Sequence, residues 1–180
     1  MAKKKEKRRT FAESWAYLRK KKWLDAKGPP VLQDHHAGWE REGDPSDITF
    51  FRCGYEDSDM SNLTMPRRFI NRSGFEGVSF RNTDLSQSFM CWNDFIGCDF
   101  TDADLSCCDM RASTFEGCSF VRCKLIGADL RRSGFEECDF TGADLRGAMI
   151  DSETEMDEYF PPEQAFVMDG TDEAPQPKGG

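Results

Sequence analysis

From Phe75 onward, every fifth residue is large and apolar: Phe75, Phe80, Leu85, Met90, Phe95, Phe100, Leu105, Met110, Phe115, Phe120, Leu125, Leu130, Phe135, Phe140, Leu145 and Ile150. In a chain with 32% charged residues, sixteen such positions in unbroken succession are a repeat. A period of five fits neither the 3.6-residue spacing of a helix nor the alternation of a long strand. A second period lies on the first. Phe75, Phe95, Phe115 and Phe135 recur at twenty residues, as do Phe80, Phe100, Phe120 and Phe140, then Leu85, Leu105, Leu125 and Leu145, then Met90, Met110, Leu130 and Ile150. Four five-residue units therefore close one turn of a solenoid, and each column climbs one side. Two residues before each centre stands a small one, from Ser73, Val78 and Thr83 to Ala143 and Ala148, with Asn93 the larger polar exception. Positions i and i−2 face the same side of an extended segment, so the two together fill a narrow interior at close packing.

The units TDADL (101–105), IGADL (126–130), TGADL (141–145) and RGAMI (146–150) resemble the A(D/N)LXX unit of the pentapeptide-repeat family. That resemblance implies an all-β solenoid, a right-handed quadrilateral β-helix, with four regular coils over residues 73–150. Residues 50–72 keep the phase through Phe50, Tyr55, Met60, Met65 and Ile70, but Leu63 and Arg68 are large where a small residue is needed, and Pro66 interrupts. An irregular first coil is expected there. The expected organisation is a basic segment with a helix and loop at 1–49, the β-helix at 50–150 and an acidic, largely disordered tail at 151–180.

The open ends of such a rod expose apolar residues and unpaired backbone, so the flanks are candidate caps. Thr10 followed by Glu13 has capping-box spacing, and Phe11, Trp15 and Leu18 share one stripe, which predicts an amphipathic helix over 10–27 closed by Gly28-Pro29-Pro30. Residues 1–27 hold 11 Lys/Arg against 3 Asp/Glu, residues 151–180 hold 1 against 9, and the whole chain carries −9. A basic head that caps the solenoid competes with one that binds nucleic acid or an anionic membrane. In the tail, Phe160-Pro161-Pro162 and Phe166-Val167-Met168 either dock locally or meet a partner. The start is basic with no apolar stretch after it, so no leader is expected, and the eight Cys read as free thiols in a reducing cytoplasm. The family's usual home implies a bacterial one.

No phosphate-binding loop, nucleophile elbow or HExxH is present, so no catalytic residue, cofactor or metal is assigned, and no enzyme is expected. Cys53, Cys98, Cys108, Cys118, Cys123 and Cys138 occupy the small interior position, where a thiol packs as a compact hydrophobe; Cys91 and Cys107 fall off it. His35-His36 reads as a solvated loop pair. The Asp residues before the centres are either corner hydrogen-bonders or an ordered acidic surface, with Asp84, Asp104 and Asp144 in one column broken by Lys124. Arg111, Arg131 and Arg132 add a basic cluster. Phe89 and Trp92 flank Met90 in outward register, as a binding site or as a seat for Phe11, Trp15 or Trp23.

Three functions follow in order. The first is a non-enzymatic protein-protein interaction module with a rigid surface. The second is implied by the resemblance: some family members mimic B-form DNA and protect DNA gyrase or topoisomerase IV, and here the Asp columns would stand for phosphates. The third is nucleic-acid or membrane binding through the basic head. Monomer and dimer are both left open.

Overall fold

The twenty-residue period becomes a backbone register. The computed structural model describes residues 7–23, 49–156, 160–161 and 165–167, and within them the chain winds into a four-sided parallel β-solenoid of about five turns. One side is a continuous six-stranded sheet, β2 (Gly54–Glu56), β4 (Gly74–Glu76), β5 (Asp94–Ile96), β6 (Thr114–Glu116), β7 (Gly134–Glu136) and β9 (Glu155–Met156). Its strands stack in register, Tyr55 on Phe75, Phe75 on Phe95, Phe95 on Phe115 and Phe115 on Phe135. A second side begins with β1 (Thr49–Phe51) beside β3 (Phe69–Asn71) and ends with β8 (Met149–Ile150) beside β10 (Phe166–Val167). The other two sides are held by single bridges such as Ser79 to Asp99 and Asp84 to Asp104.

Every fifth residue from Arg52 to Gly147 has a positive φ. These are the corners: a single residue in the left-handed region turns the chain to the next side, and a run of such turns is what a period of five requires. At seven of the centres the preceding Asp folds its carboxylate back onto the chain at the corner. Asp84, Asp99, Asp104, Asp109, Asp129, Asp139 and Asp144 each accept the backbone N–H two residues on, at 2.9–3.3 Å.

All sixteen centres from Phe75 to Ile150 are buried. The Phe rings stack face to face, at 4.9 Å and 1° for Phe95 on Phe115 and 5.1 Å and 4° for Phe100 on Phe120. Ring separation matches the roughly 4.8 Å strand spacing, so ladder bonds and ring contacts are satisfied together. The two Phe columns meet edge to face, as in Phe95 and Phe100 at 5.4 Å and 71°. The small position is more than small. Ser113 and Ser133 Oγ donate to the Met90 and Met110 carbonyls at 2.7 Å, Thr83 Oγ1 to Met60 at 2.7 Å, and Asn93 Nδ2 to Ile70 at 2.9 Å. Cys98, Cys118 and Cys138 Sγ make the equivalent contact to Phe75, Phe95 and Phe115 at 3.3–3.4 Å. A compact donor reaches the centre carbonyl of the coil before, which explains why Ser, Thr and Cys share these sites.

The first coil, expected to be irregular, keeps the backbone register, with Phe50 on Ile70 and Tyr55 on Phe75. Its departure lies in the side chains. Leu63 and Arg68 fill the small positions and are both buried, because helix α1 (Phe11–Lys20) covers that end. Thr10 and Glu13 form the expected capping box. Ser14 Oγ accepts the Thr64 N–H at 2.8 Å, Tyr17 donates to the Asp59 carbonyl at 2.7 Å, Leu18 is wholly buried, and the Phe11 ring lies 5.0 Å from the Arg68 guanidinium. The helix is shorter than the 10–27 expected. Trp23 donates to Leu18 and Lys22 to Arg19, with Lys22 at φ 60, a left-handed cap that turns Trp23 onto Tyr55 (6.0 Å). Gly28-Pro29-Pro30, the expected stop, lies outside the described residues, as do His35-His36, Lys3–Lys5 and most of the tail expected to be disordered. The described parts of that tail dock on the solenoid. Phe160 is buried, on edge to Phe140 at 5.0 Å and 73°, and Phe166–Val167 pair with β8.

Candidate interaction surface

The column Asp84, Asp104, Lys124, Asp144 forms as the repeat implies, through successive bridges. Its charges are answered. Asp104 holds Lys124 Nζ at 3.2 Å, Asp144 holds Arg146 through two hydrogen bonds of 2.8 and 2.7 Å, and Asp84 lies 3.9 Å from Arg8. Burial pushes the Asp104 carboxyl up, but hydrogen bonds from Ser106 and Lys124 outweigh it and hold the group below its ordinary range. The Arg146 hydrogen bonds do the same for Asp144.

The basic cluster divides. Arg111 clasps Asp109 through Nε and Nη2 at 2.9 Å and reaches Asp129 at 3.6 Å. Arg131 clasps Asp129 at 2.9 and 2.7 Å and is itself buried. Arg132 turns outward to Glu153 at 3.0 Å. Arg111 and Arg131 are thus internal partners of the corner aspartates. Cys91 joins them, donating to Asp109 at 3.1 Å, and burial with that neighbouring carboxylate pushes its thiol well up.

Phe89 does not face solvent. It stacks on Phe69 at 5.1 Å and 10° and is 5% exposed. Phe89 was expected to point outward beside Trp92; a second aromatic one coil below covers its ring, a pairing visible only once both coils are stacked. Trp92 is 54% exposed, with the Arg72 guanidinium 5.5 Å from its ring. The aromatic residues of the N-terminal helix pack at the first coil and leave Trp92 uncovered.

Exposed large apolar side chains converge on the six-stranded sheet. Among the described residues they are Trp92, Ile96 (45% exposed) and Met156 (40%). Trp92 is the corner leading into β5 and Ile96 points outward from β5, whereas Met156, in register with Phe135, is exposed because it ends the Phe column in β9. In register with Ile96 stand Glu56, Glu76, Glu116 and Glu136, all exposed. Among the described residues none of these four carboxylates has an ion-pair or hydrogen-bond partner. On the other outward row stand Gly54, Gly74, Asp94, Thr114 and Gly134. A Cβ on Gly54 or Gly74 would meet nothing within 4 Å, so the interior does not require glycine there, and the low floor is a property of the outer face. The sequence held the signal for this row: Glu at i+1 recurs every twenty residues, with Ile96 the exception.

No group of three or more His, Cys, Asp or Glu able to hold a metal occurs among the described residues, and all eight Cys are free thiols. The class of protein is a repeat solenoid with an exposed six-stranded sheet. Residues 75–111 and 108–147 match the family model for pentapeptide repeats, in eight copies. The repeat region belongs to the pentapeptide-repeat family. No curated protein sequence matches the chain. Similar solved structures include a pentapeptide repeat protein of the Arabidopsis thaliana thylakoid lumen, at 21% identity and TM-score 0.47 over 60% of this chain and 71% of that one. HetL, a pentapeptide repeat protein involved in heterocyst differentiation regulation in Nostoc sp. strain PCC 7120, aligns at 17% identity and TM-score 0.31 over 57% and 46%. QnrB1, a plasmid-mediated fluoroquinolone resistance protein, aligns at 12% identity and TM-score 0.32 over 69% and 75%. No helix among the described residues is long and apolar enough to cross a membrane.

Proposed function

We propose that this chain is a non-enzymatic interaction module that engages a partner protein through the six-stranded face and its Trp92 corner. One observation carries the reading: Trp92 and Ile96, two of the three exposed large apolar side chains among the described residues, stand together on this side of the rod, and interface anchors are apolar or aromatic groups set in a rigid surround. Trp92→Ala and Ile96→Asp, each with an unchanged circular dichroism spectrum, are expected to lose a partner that the full chain captures from an extract of its own organism. Undiminished capture by both variants would sink the proposal.

Mimicry of DNA, with gyrase or topoisomerase IV as the target, is the second reading, favoured by the net charge of −9 and a Glu row unpaired among the described residues. A duplex presents phosphates along two strands, whereas the column opposite the Glu row is matched by Lys124, Arg146 and Arg8. Direct capture of purified topoisomerase, lost on changing Asp84, Asp104 and Asp144 to Asn, would place this reading first. Nucleic-acid binding by the head ranks third. Arg8 donates to the Asn82 carbonyl at 2.7 Å and Arg9 to that of Ser61 at 2.9 Å, so both are already engaged by the solenoid.

A further inference from the structure

Resting on the reading of the six-stranded face as the docking side, we infer that its occupant is a basic amphipathic α-helix of the partner protein, lying along the coil axis. Charge and pitch both point to such a helix. Glu56, Glu76, Glu116 and Glu136 form one line, unpaired among the described residues, with the exposed Ile96 at its centre. Each coil advances about 4.8 Å, so the line runs roughly 19 Å. Side chains on one face of an α-helix recur every turn, about 5.4 Å, and four turns cover roughly 22 Å. Flexible Lys and Arg stems absorb that difference. An extended segment repeats a face about every 6.8 Å and falls out of step within two coils. The matching helix carries Lys or Arg at i, i+4, i+11 and i+15, with a large apolar residue at i+7 or i+8 to meet Ile96.

The rest of the face sets how the helix lies. Gly54 and Gly74 keep the floor low beside the Glu line, so a cylinder can settle there without meeting side chains. The far rim is Trp92 with the Arg72 guanidinium against its ring. That rim offers an apolar contact and repels cations, so the basic stripe of the helix turns toward the glutamates and its apolar flank toward Trp92. Asp94, bound by the Thr114 hydroxyl at 2.6 Å, adds negative charge mid-floor.

The test titrates the isotope-labelled full-length chain with three synthetic peptides of one composition. The first is an Ala-based helix with Lys at 1, 5, 12 and 16 and Leu at 8. The second scatters the same residues round the helix, and the third alternates them for an extended strand. The first is expected to shift the amide signals of residues 56, 76, 96, 116 and 136. Its affinity is expected to fall about tenfold when ionic strength rises from about 0.05 M to about 0.3 M. Glu76→Lys with Glu116→Lys should weaken binding at least about tenfold, while Asp104→Asn leaves it unchanged. Equal binding of all three peptides, preference for the extended one, no binding, or shifts confined to residues 84, 104 and 144 would each overturn the inference. If it falls while partner capture still depends on Trp92 and Ile96, the docking side stands and only the helix is wrong. If capture is also indifferent to those residues, both fall.

Discussion

Trp92 holds a corner at φ 52, where a bulky L side chain costs about 1 kcal/mol or more relative to glycine. It buries little in exchange, being more than half exposed. Trp92→Gly is therefore expected to match or raise the melting temperature while abolishing partner capture; a clear loss of thermal stability would show instead that the ring is structural. The thiols make a second residue-scale prediction. Cys107 is exposed, whereas Cys91, Cys98, Cys108, Cys118, Cys123 and Cys138 are buried, and burial pushes the Cys108 thiol far up. In the native protein an aromatic disulfide reagent should modify Cys107 first, the partly covered Cys53 more slowly and the rest only on unfolding. At this scale the sixteen centres were legible, because a centre residue is apolar whatever its neighbours are. Phe89 was not, because its exposure depends on Phe69, twenty residues away.

Helix α1 is the element that closes the N-terminal end, and Leu18 is the side chain it inserts. Leu18→Ala should cost about 2–4 kcal/mol, read as a drop in denaturation midpoint, by removing a wholly buried side chain. Phe100→Ala, in the middle of a stack, should cost about 3–5 kcal/mol and weaken contacts to both adjoining coils. The capping box was readable from Thr10 and Glu13, because its bonds are local. The early end of the helix was not, since it is Trp23 packing on the distant Tyr55 that draws the chain away. The six-stranded face was latent in the sequence for a related reason. Its Glu row belongs to the variable outward positions, and only the structure separates glutamates without partners among the described residues from aspartates already bound to Lys124, Arg111 and Arg146.

Across the whole molecule the corner aspartates act together. Burial pushes the Asp99, Asp104 and Asp109 carboxyls up, but hydrogen bonds from Thr101 and Arg81, from Ser106 and Lys124, and from Arg111 and Cys91 outweigh it and leave all three below the ordinary range. A carboxyl lowered on folding stabilises fully above its unfolded value, and that contribution is lost as pH falls through the folded one. The melting temperature should thus stay level from about pH 7 to about pH 5 and drop below about pH 4, and a midpoint rising on acidification would contradict the pairing. The last coil bears on how large the object becomes. Gly134 pairs with Glu155, where the repeat would have brought Thr154, and Phe160 lies on edge to Phe140 and tilted to Phe135 instead of stacking flat. A parallel ladder is a template, and an unbroken one invites the next molecule to continue it as a fibre. Here Phe160 is buried over the last Phe columns and the phase shifts by one residue at Glu155, so the end of the stack is not a bare continuation of the ladder.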